Sequence, residues 1–323
     1  MCTAIRFESN GVYFGRTLDV ELEYDASVTI TPRDFPLHFK NGESFLRHSA
    51  MIGMAMVVDG FPLFFDAANE HGLAIAALRF ADNAQYFPII SHKTNVASFE
   101  VIPYLLSKYK SIAEVKEAAI DLNITNTAFD SNFPPSPLHW ILSDQSGALV
   151  LESTGEGLKV YENDIGVLTN NPPFPFQREN LAQYLHLTAC EVVNTFSDQI
   201  SLTPFSRGMG AIGLPGDLSS VSRFVRAAFV KSNAQKCRES IESLTQYFHI
   251  LSSVEQIQGC VKVGKYLEKT SYSACIDCSK MIYYYKTYEN SQLSAVSLFN
   301  ENPNEKEILT FPLIREQKIS YQN

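Results

Sequence analysis

The first residues of the chain are the ones best suited to chemistry. Met1 is followed by Cys2, and a residue that small in second place allows the initiator methionine to be trimmed, leaving a thiol and a free α-amino group on one residue. Such a residue is nucleophile and base together. The amine titrates near ~7.7–8.0 and a free thiol near ~8.5, so a modest downward push on either gives a reactive pair at neutral pH. A cysteine in second place is by itself an arbitrary residue, and the case for chemistry rests on its neighbours in the chain. Cys2 to Phe7 alternates small or polar with apolar side chains, Asn10-Gly11 is a two-residue hairpin signal, and Val12 to Phe14 reads as the return strand. That hairpin carries Arg16 and Asp19 back beside Cys2, where a guanidinium can hold a thiolate and a carboxylate can orient the amine. Taken alone, the two residues read equally as a solvated surface pair.

A nucleophile that attacks a carbonyl also needs a donor where the tetrahedral oxyanion forms, and one such donor is worth about 2.7–4 kcal/mol of barrier. Asn170, in Leu-Thr-Asn-Asn-Pro, ends a strand just before a rigid proline turn and is the donor candidate; Asn171 is excluded, and turn formation is the competing reason for both. Arg223 and Arg226 sit where a loop enters a helix and, read alone, form a basic surface turn. Cys275 and Cys278 have the two-residue spacing of a zinc or redox pair, but no second pair or nearby histidine completes a site, so no metal is expected. Tyr283-Tyr284-Tyr285 has no interleaved basic stripe and reads as sheet packing.

The elements that must position these residues can be read from periodicity. Short β-rich runs at 27–32, 50–58, 61–66 and 72–80 fill the first quarter. Three- and four-residue spacing from Phe99 to Ala119 then predicts two helices in tandem. Strands resume at 138–144, 148–152, 158–161 and 165–170, helices at about 176–186, 220–231 and 238–252, and a hairpin at about 271–298 ends the chain. Alternating blocks of strands and helices give an α+β layering in a single domain over 1–323. Of the 323 residues, 45% are hydrophobic and 19% charged, which suits a packed core. A net charge of -9 argues against nucleic acid or an anionic membrane as partner. With no membrane-length apolar run and no secretory signal, a soluble cytoplasmic protein is expected.

Met-Cys-Thr-Ala-Ile, then Tyr-Phe-Gly-Arg-Thr-Leu-Asp, resembles the choloylglycine hydrolase family of N-terminal-nucleophile hydrolases, which holds bile salt hydrolases and penicillin V acylases. The resemblance runs through essentially the whole chain. It implies a four-layer αββα sandwich, Cys2 as nucleophile with Arg16 and Asp19 beside it, Asn170 as the oxyanion asparagine, Arg223 as the active-site arginine, no cofactor, a small-molecule substrate and a homotetramer. Arg79, in Ala-Ala-Leu-Arg-Phe, departs from the pattern by standing where bile salt hydrolases carry an asparagine. If that position contributes its backbone N–H, hydrolysis survives the change and substrate preference moves. Phe61, Phe64, Phe65, Phe133, Pro134, Pro135 and Leu138 are expected to line an apolar cavity, or to be core. Ser206-Arg207 resembles a pair associated with taurine conjugates, which gives Arg207 a sulfonate to hold.

The leading expectation is therefore a cofactor-free cysteine amidohydrolase acting on glycine- and taurine-conjugated bile salts. Penicillin V or another N-acyl amide, such as an N-acyl homoserine lactone, is the alternative substrate. A bile-salt-binding homologue without turnover is the alternative of a different class.

Overall fold

The computed structural model describes the whole chain, residues 1–323. Cys2–Ser9 and Gly11–Val20 form the expected antiparallel hairpin, with Cys2 opposite Leu18 and Ser9 opposite Gly11. Gly11 has φ +104°, a conformation that a side chain would strain, which is what the Asn-Gly pair supplies to the turn. This hairpin is the centre of a seven-stranded antiparallel sheet. Val167–Leu168 pairs with its Cys2 strand, while Tyr266–Asp277, Ile282–Thr287 and Ser294–Ser297 extend the other side, and Val261–Val263 pairs with Tyr266–Asp277.

The second sheet has eight strands, in the order Gly157–Glu162, Ala148–Thr154, Leu138–Ser143, Ala74–Arg79, Phe61–Asn69, Met51–Val58, Ser27–Thr31 and Leu309–Pro312. It stacks on the first. The helix Val101–Lys108 packs on its outer side, while Ser220–Asn233 and Ser240–Ser252 pack on the outer side of the first sheet. The result is the αββα sandwich. A strand covered on both faces has no reason to alternate, and Val12 to Asp19 are buried without interruption.

Several elements differ from their sequence reading. Of the strand expected at 165–170, only Val167–Leu168 pairs. The helix expected at 176–186 starts earlier, at Phe174–Asn180, with Pro175 in its first turn, where a missing N–H costs nothing; it passes into a 3₁₀ turn at Leu181–Tyr184. The final hairpin is a three-stranded meander, and Leu309–Pro312 crosses to the second sheet to pair with Ser27–Thr31. A small parallel pair, Thr94–Ala97 with Leu122–Thr125, has no signature that periodicity could pick out.

Candidate active site

Cys2 begins the central strand and is 5% exposed, at the polar end of a cavity of about 360 Å³. Arg16 and Asp19 are both fully buried, so the surface-pair reading is excluded. The hairpin register sets Arg16 opposite Ala4 rather than Cys2, and the guanidinium runs to the second sheet. There it donates to the Phe65 carbonyl (3.1 Å) and the Ala77 carbonyl. Pairing between the strands of those two residues ends at Asp66 and Ala76, so Arg16 satisfies two carbonyls at the point where they part. Burial alone would lower its pKa; Cys2, Tyr272, Asp66 and Asp19 around it outweigh burial and hold it above the ordinary arginine value. Behind it, Asp66 accepts from the hydroxyls of Tyr272 (2.7 Å) and Tyr283 (2.6 Å).

Asn170 ties the centre together. Its Oδ1 accepts from the Cys2 backbone N (2.7 Å) and from Arg223 Nη2 (2.9 Å), and two donors on one atom fix the orientation of the amide. Nδ2 is thereby left to donate to the Arg79 carbonyl at 2.8 Å. The backbone N of Asn170 donates to Ser220 Oγ (2.8 Å), so the start of the helix Ser220–Asn233 holds the asparagine in place. Asn171 points elsewhere, to the Ala81 carbonyl.

Arg223 lies in the first turn of that helix and is completely buried. It donates to the Cys2 carbonyl (2.6 Å), to Thr3 Oγ1 and to Leu218 O (3.1 Å), and Asp19 Oδ2 lies 3.8 Å away. Burial pushes the Arg223 pKa down and the Asp19 pKa up, each opposed by the charge of the other. Asp19 also accepts from Thr270 (2.7 Å) and Thr17 (3.2 Å). Arg226, one turn further along the same helix, does not reach the site. Arg226 bonds the carbonyls of Ser253, Pro215 and Asp217 instead.

Arg79 ends its strand at the cavity wall with an exposed side chain. The N–H of Phe80 donates to Pro137 O, and successive N–H groups along a strand face opposite sides. The Arg79 N–H therefore faces away from Leu138–Ser143, on the side where its carbonyl meets Asn170 Nδ2. The Arg79 N–H thus lies on the same side of its strand as the Asn170 amide, whose oxygen is bonded to the Cys2 nitrogen.

The apolar wall holds Phe64, Phe65, Phe133, Pro134 and Leu138 as expected, joined by Met56, Leu63, Phe99 and Phe129, which the sequence did not single out. Phe61 is a correction: it turns to a neighbouring cavity of about 360 Å³, packed edge-on against Phe99. Pro135 does not line the reaction cavity either. Arg207 is a further correction, since it stands exposed on the segment 185–214 and does not line this cavity; a loop position cannot be located from a two-residue match. Cys275 and Cys278 are buried, with thiol pKa values raised by burial, that of Cys278 to about 12. Glu268, buried and bonded to the Met1 ammonium at 2.9 Å, is not singled out by the sequence, where it is one acidic residue in a β-rich run.

Two stacked antiparallel sheets between helix layers, with a cysteine opening the central strand beside buried arginine, aspartate and asparagine, is the arrangement of an N-terminal-nucleophile hydrolase. The chain belongs to the choloylglycine hydrolase family of linear amide C–N hydrolases, whose family model matches residues 2–311. It is 48% identical to the bile salt hydrolase/transferase of Lactiplantibacillus plantarum over 98% of each chain, and 36% identical to the conjugated bile acid hydrolase of Lactobacillus gasseri over 96% of this chain and 100% of that one. A mutant of conjugated bile acid hydrolase from Clostridium perfringens superposes with TM-score 0.93 at 35% identity, covering 100% of both chains. Penicillin V acylase from Agrobacterium tumefaciens shares the fold, with TM-score 0.75 at 18% identity over 96% of this chain and 90% of that one.

Proposed function

We propose that the chain, once Met1 is removed, hydrolyses the amide bond of glycine- and taurine-conjugated bile salts with Cys2 as nucleophile. The α-amino group, held by Asn170 Oδ1, takes the thiol proton, and the thiolate attacks the amide carbonyl. Asn170 Nδ2 and the Arg79 N–H receive the oxyanion, and Arg16 supplies positive charge beside the sulfur. The α-ammonium returns its proton to the leaving amine. Water then adds to the thioester, restoring thiol and amine and releasing the acid. Asp19 and Arg223 position the amine and Asn170.

The observation carrying this reading is the convergence of Asn170 and Arg223 on Cys2 at the polar end of an apolar cavity. The bile-salt assignment is supported by the names of the relatives, by the apolar wall suited to a sterol, and by Arg79 at the rim for an anionic conjugate. The test compares release from taurocholate, glycocholate and penicillin V alongside an intact mass. Faster turnover of penicillin V would move the substrate to the phenoxyacetyl class, and a mass retaining Met1 with no turnover would favour the binding homologue.

We place the enzyme in the cytoplasm, supported by six unpaired cysteines; no helix is long and apolar enough to cross a membrane. Homo-oligomer formation, a tetramer by family resemblance, is supported by the segment 185–214, which exposes Leu185, Val193, Phe196, Phe205 and Ile212. Light scattering of a Phe196→Asp/Phe205→Asp variant checks it, with dissociation expected.

A further inference from the structure

His139 stands behind the proposed oxyanion donors and has no part in the chemistry described so far. It is completely buried on the strand Leu138–Ser143, and an oxygen faces each of its ring nitrogens. Nε2 lies 2.7 Å from the Thr169 carbonyl, which can only accept, so Nε2 carries a proton. Nδ1 lies 3.0 Å from Oε1 of Glu152, also fully buried; two bare lone pairs would repel there, so a further proton lies between them. The same Oε1 takes the N–H of Phe174 (2.9 Å), just past the Asn170 turn. The Thr169 carbonyl and the Asn170 N–H belong to one planar peptide unit. His139 holds its oxygen and Ser220 Oγ its nitrogen (2.8 Å), so the plane from which the Asn170 side chain springs cannot turn. The other donor is tied to the same imidazole. His139 pairs opposite Leu78 beside Arg79, and Phe80 stacks on its ring at 4.3 Å with 6° between the planes.

We propose that His139 is a positioning residue whose bond to Thr169 and stack on Phe80 set the separation of the Asn170 amide and the Arg79 N–H, with Glu152 keeping the imidazole oriented and protonated. The proposal rests on the reading of those two groups as the oxyanion donors. Asn170 follows a strand of the first sheet and Arg79 ends a strand of the second, so the gap between the sheets separates them. Apolar packing across that gap is non-directional and does not by itself fix such a distance. The bond from His139 to Thr169 crosses the gap and is directional, and a group misplaced by about 1 Å costs about 10²-fold in rate. His139 lines no part of the reaction cavity. It therefore governs how well the oxyanion is met and not how tightly the substrate is held.

The test measures kcat and KM on whichever amide turns over fastest, with the aldehyde of the same acid as a probe of the tetrahedral state. His139→Phe/Glu152→Leu keeps a ring on Phe80 and leaves no buried charge unpaired, so it should fold, which calorimetry checks. It should lose about 10²-fold in kcat, shift KM by less than about threefold and bind the aldehyde about 10²-fold more weakly. In His139→Gln/Glu152→Leu an amide nitrogen again reaches Thr169, and kcat should recover by about tenfold or more. Phe80→Leu, which removes only the stack, should cost about tenfold in kcat and decides the matter should the first pair fail to fold. Added to Asn170→Ala, the first pair should cost less than about threefold more. Equal kcat in the two pairs, a loss carried by KM, no loss in Phe80→Leu, or additive losses with Asn170→Ala overturn the proposal. If Asn170→Ala alone is harmless, the oxyanion reading fails and this one falls with it. A harmless His139 pair beside a damaging Asn170→Ala overturns the role of His139 alone.

Discussion

The two ends of the reaction cavity are built by different means. At the polar end Cys2, Arg16, Asp19, Asn170 and Arg223 are all buried, and each, whether on the central hairpin, just after the Val167–Leu168 strand or in the first turn of a helix, is held by protein partners. At the other end, Phe129, Phe133 and Pro134 sit on a loop, and Arg79 reaches solvent from the end of its strand. Reacting atoms must be placed within tenths of an ångström, which rigid strands provide; a recognition surface must mainly be the right shape and sign, which loops provide and can vary. The departure from the family pattern, Arg79, accordingly lies at the boundary between the two ends.

If this division holds, substitutions at the polar end strike turnover and those at the rim strike preference. The largest expected effect is at Cys2: Cys2→Ala and Cys2→Ser should lower turnover by about 10⁴-fold or more with an unchanged melting temperature. Turnover near wild type in either would dissolve the contrast altogether. Asn170→Ala should cost about 10²–10³ in kcat, measured at substrate saturation, because it removes one oxyanion donor and the partner of the Cys2 nitrogen.

Arg79→Asn sharpens the boundary. The backbone N–H survives, so kcat should change by less than about tenfold on taurocholate, glycocholate, penicillin V and a neutral N-acyl anilide. KM for the anionic conjugates should rise relative to the anilide by up to roughly 1.5–3 kcal/mol. A uniform hundredfold loss of kcat would move Arg79 to the polar end.

The smallest effect concerns the support beneath Asn170. Lys231 donates to Ile165 O just before the Val167–Leu168 strand, and burial, with Arg6 adding to it, lowers its pKa from 10.5 to about 8. A depressed lysine costs stability when charged. Its contribution is fully present above the unfolded value of 10.5 and is lost as pH falls through about 8. Urea unfolding should therefore show the wild type gaining about 2 kcal/mol over Lys231→Met between about pH 7 and about pH 9.5. Parallel pH curves for the two proteins would remove Lys231 from this role.

How much of the fold and site is readable in the sequence tracks the same division. The Asn10-Gly11 turn and its flanking strands are legible because hairpin register is a local property, and with them comes the neighbourhood of Cys2, Arg16 and Asp19. Asn170 and Arg223 need the family resemblance, because their meeting with Cys2 depends on chain separations of 168 and 221 residues. Phe61 and Arg207 are misplaced by sequence reading for a related reason. Along a strand only the facing of a residue decides which cavity it lines, and on a long loop neither period nor spacing fixes position. Leu309–Pro312 escapes notice because its alternation lasts only four residues and ends in a proline, too short a run to stand out near the end of the chain.

Arg16 has the proposed duty of charging the surroundings of the Cys2 sulfur, and it also bridges two carbonyls where strands of the second sheet part. In an evolving lineage these duties are inherited separately. A descendant that abandons turnover keeps selection for Arg16 through the architecture of the sandwich, while selection on Cys2 lapses. Arginine at this position therefore reports only that a homologue assembles in this way, and the residue after the initiator methionine is the one to read when sorting enzymes from retired copies.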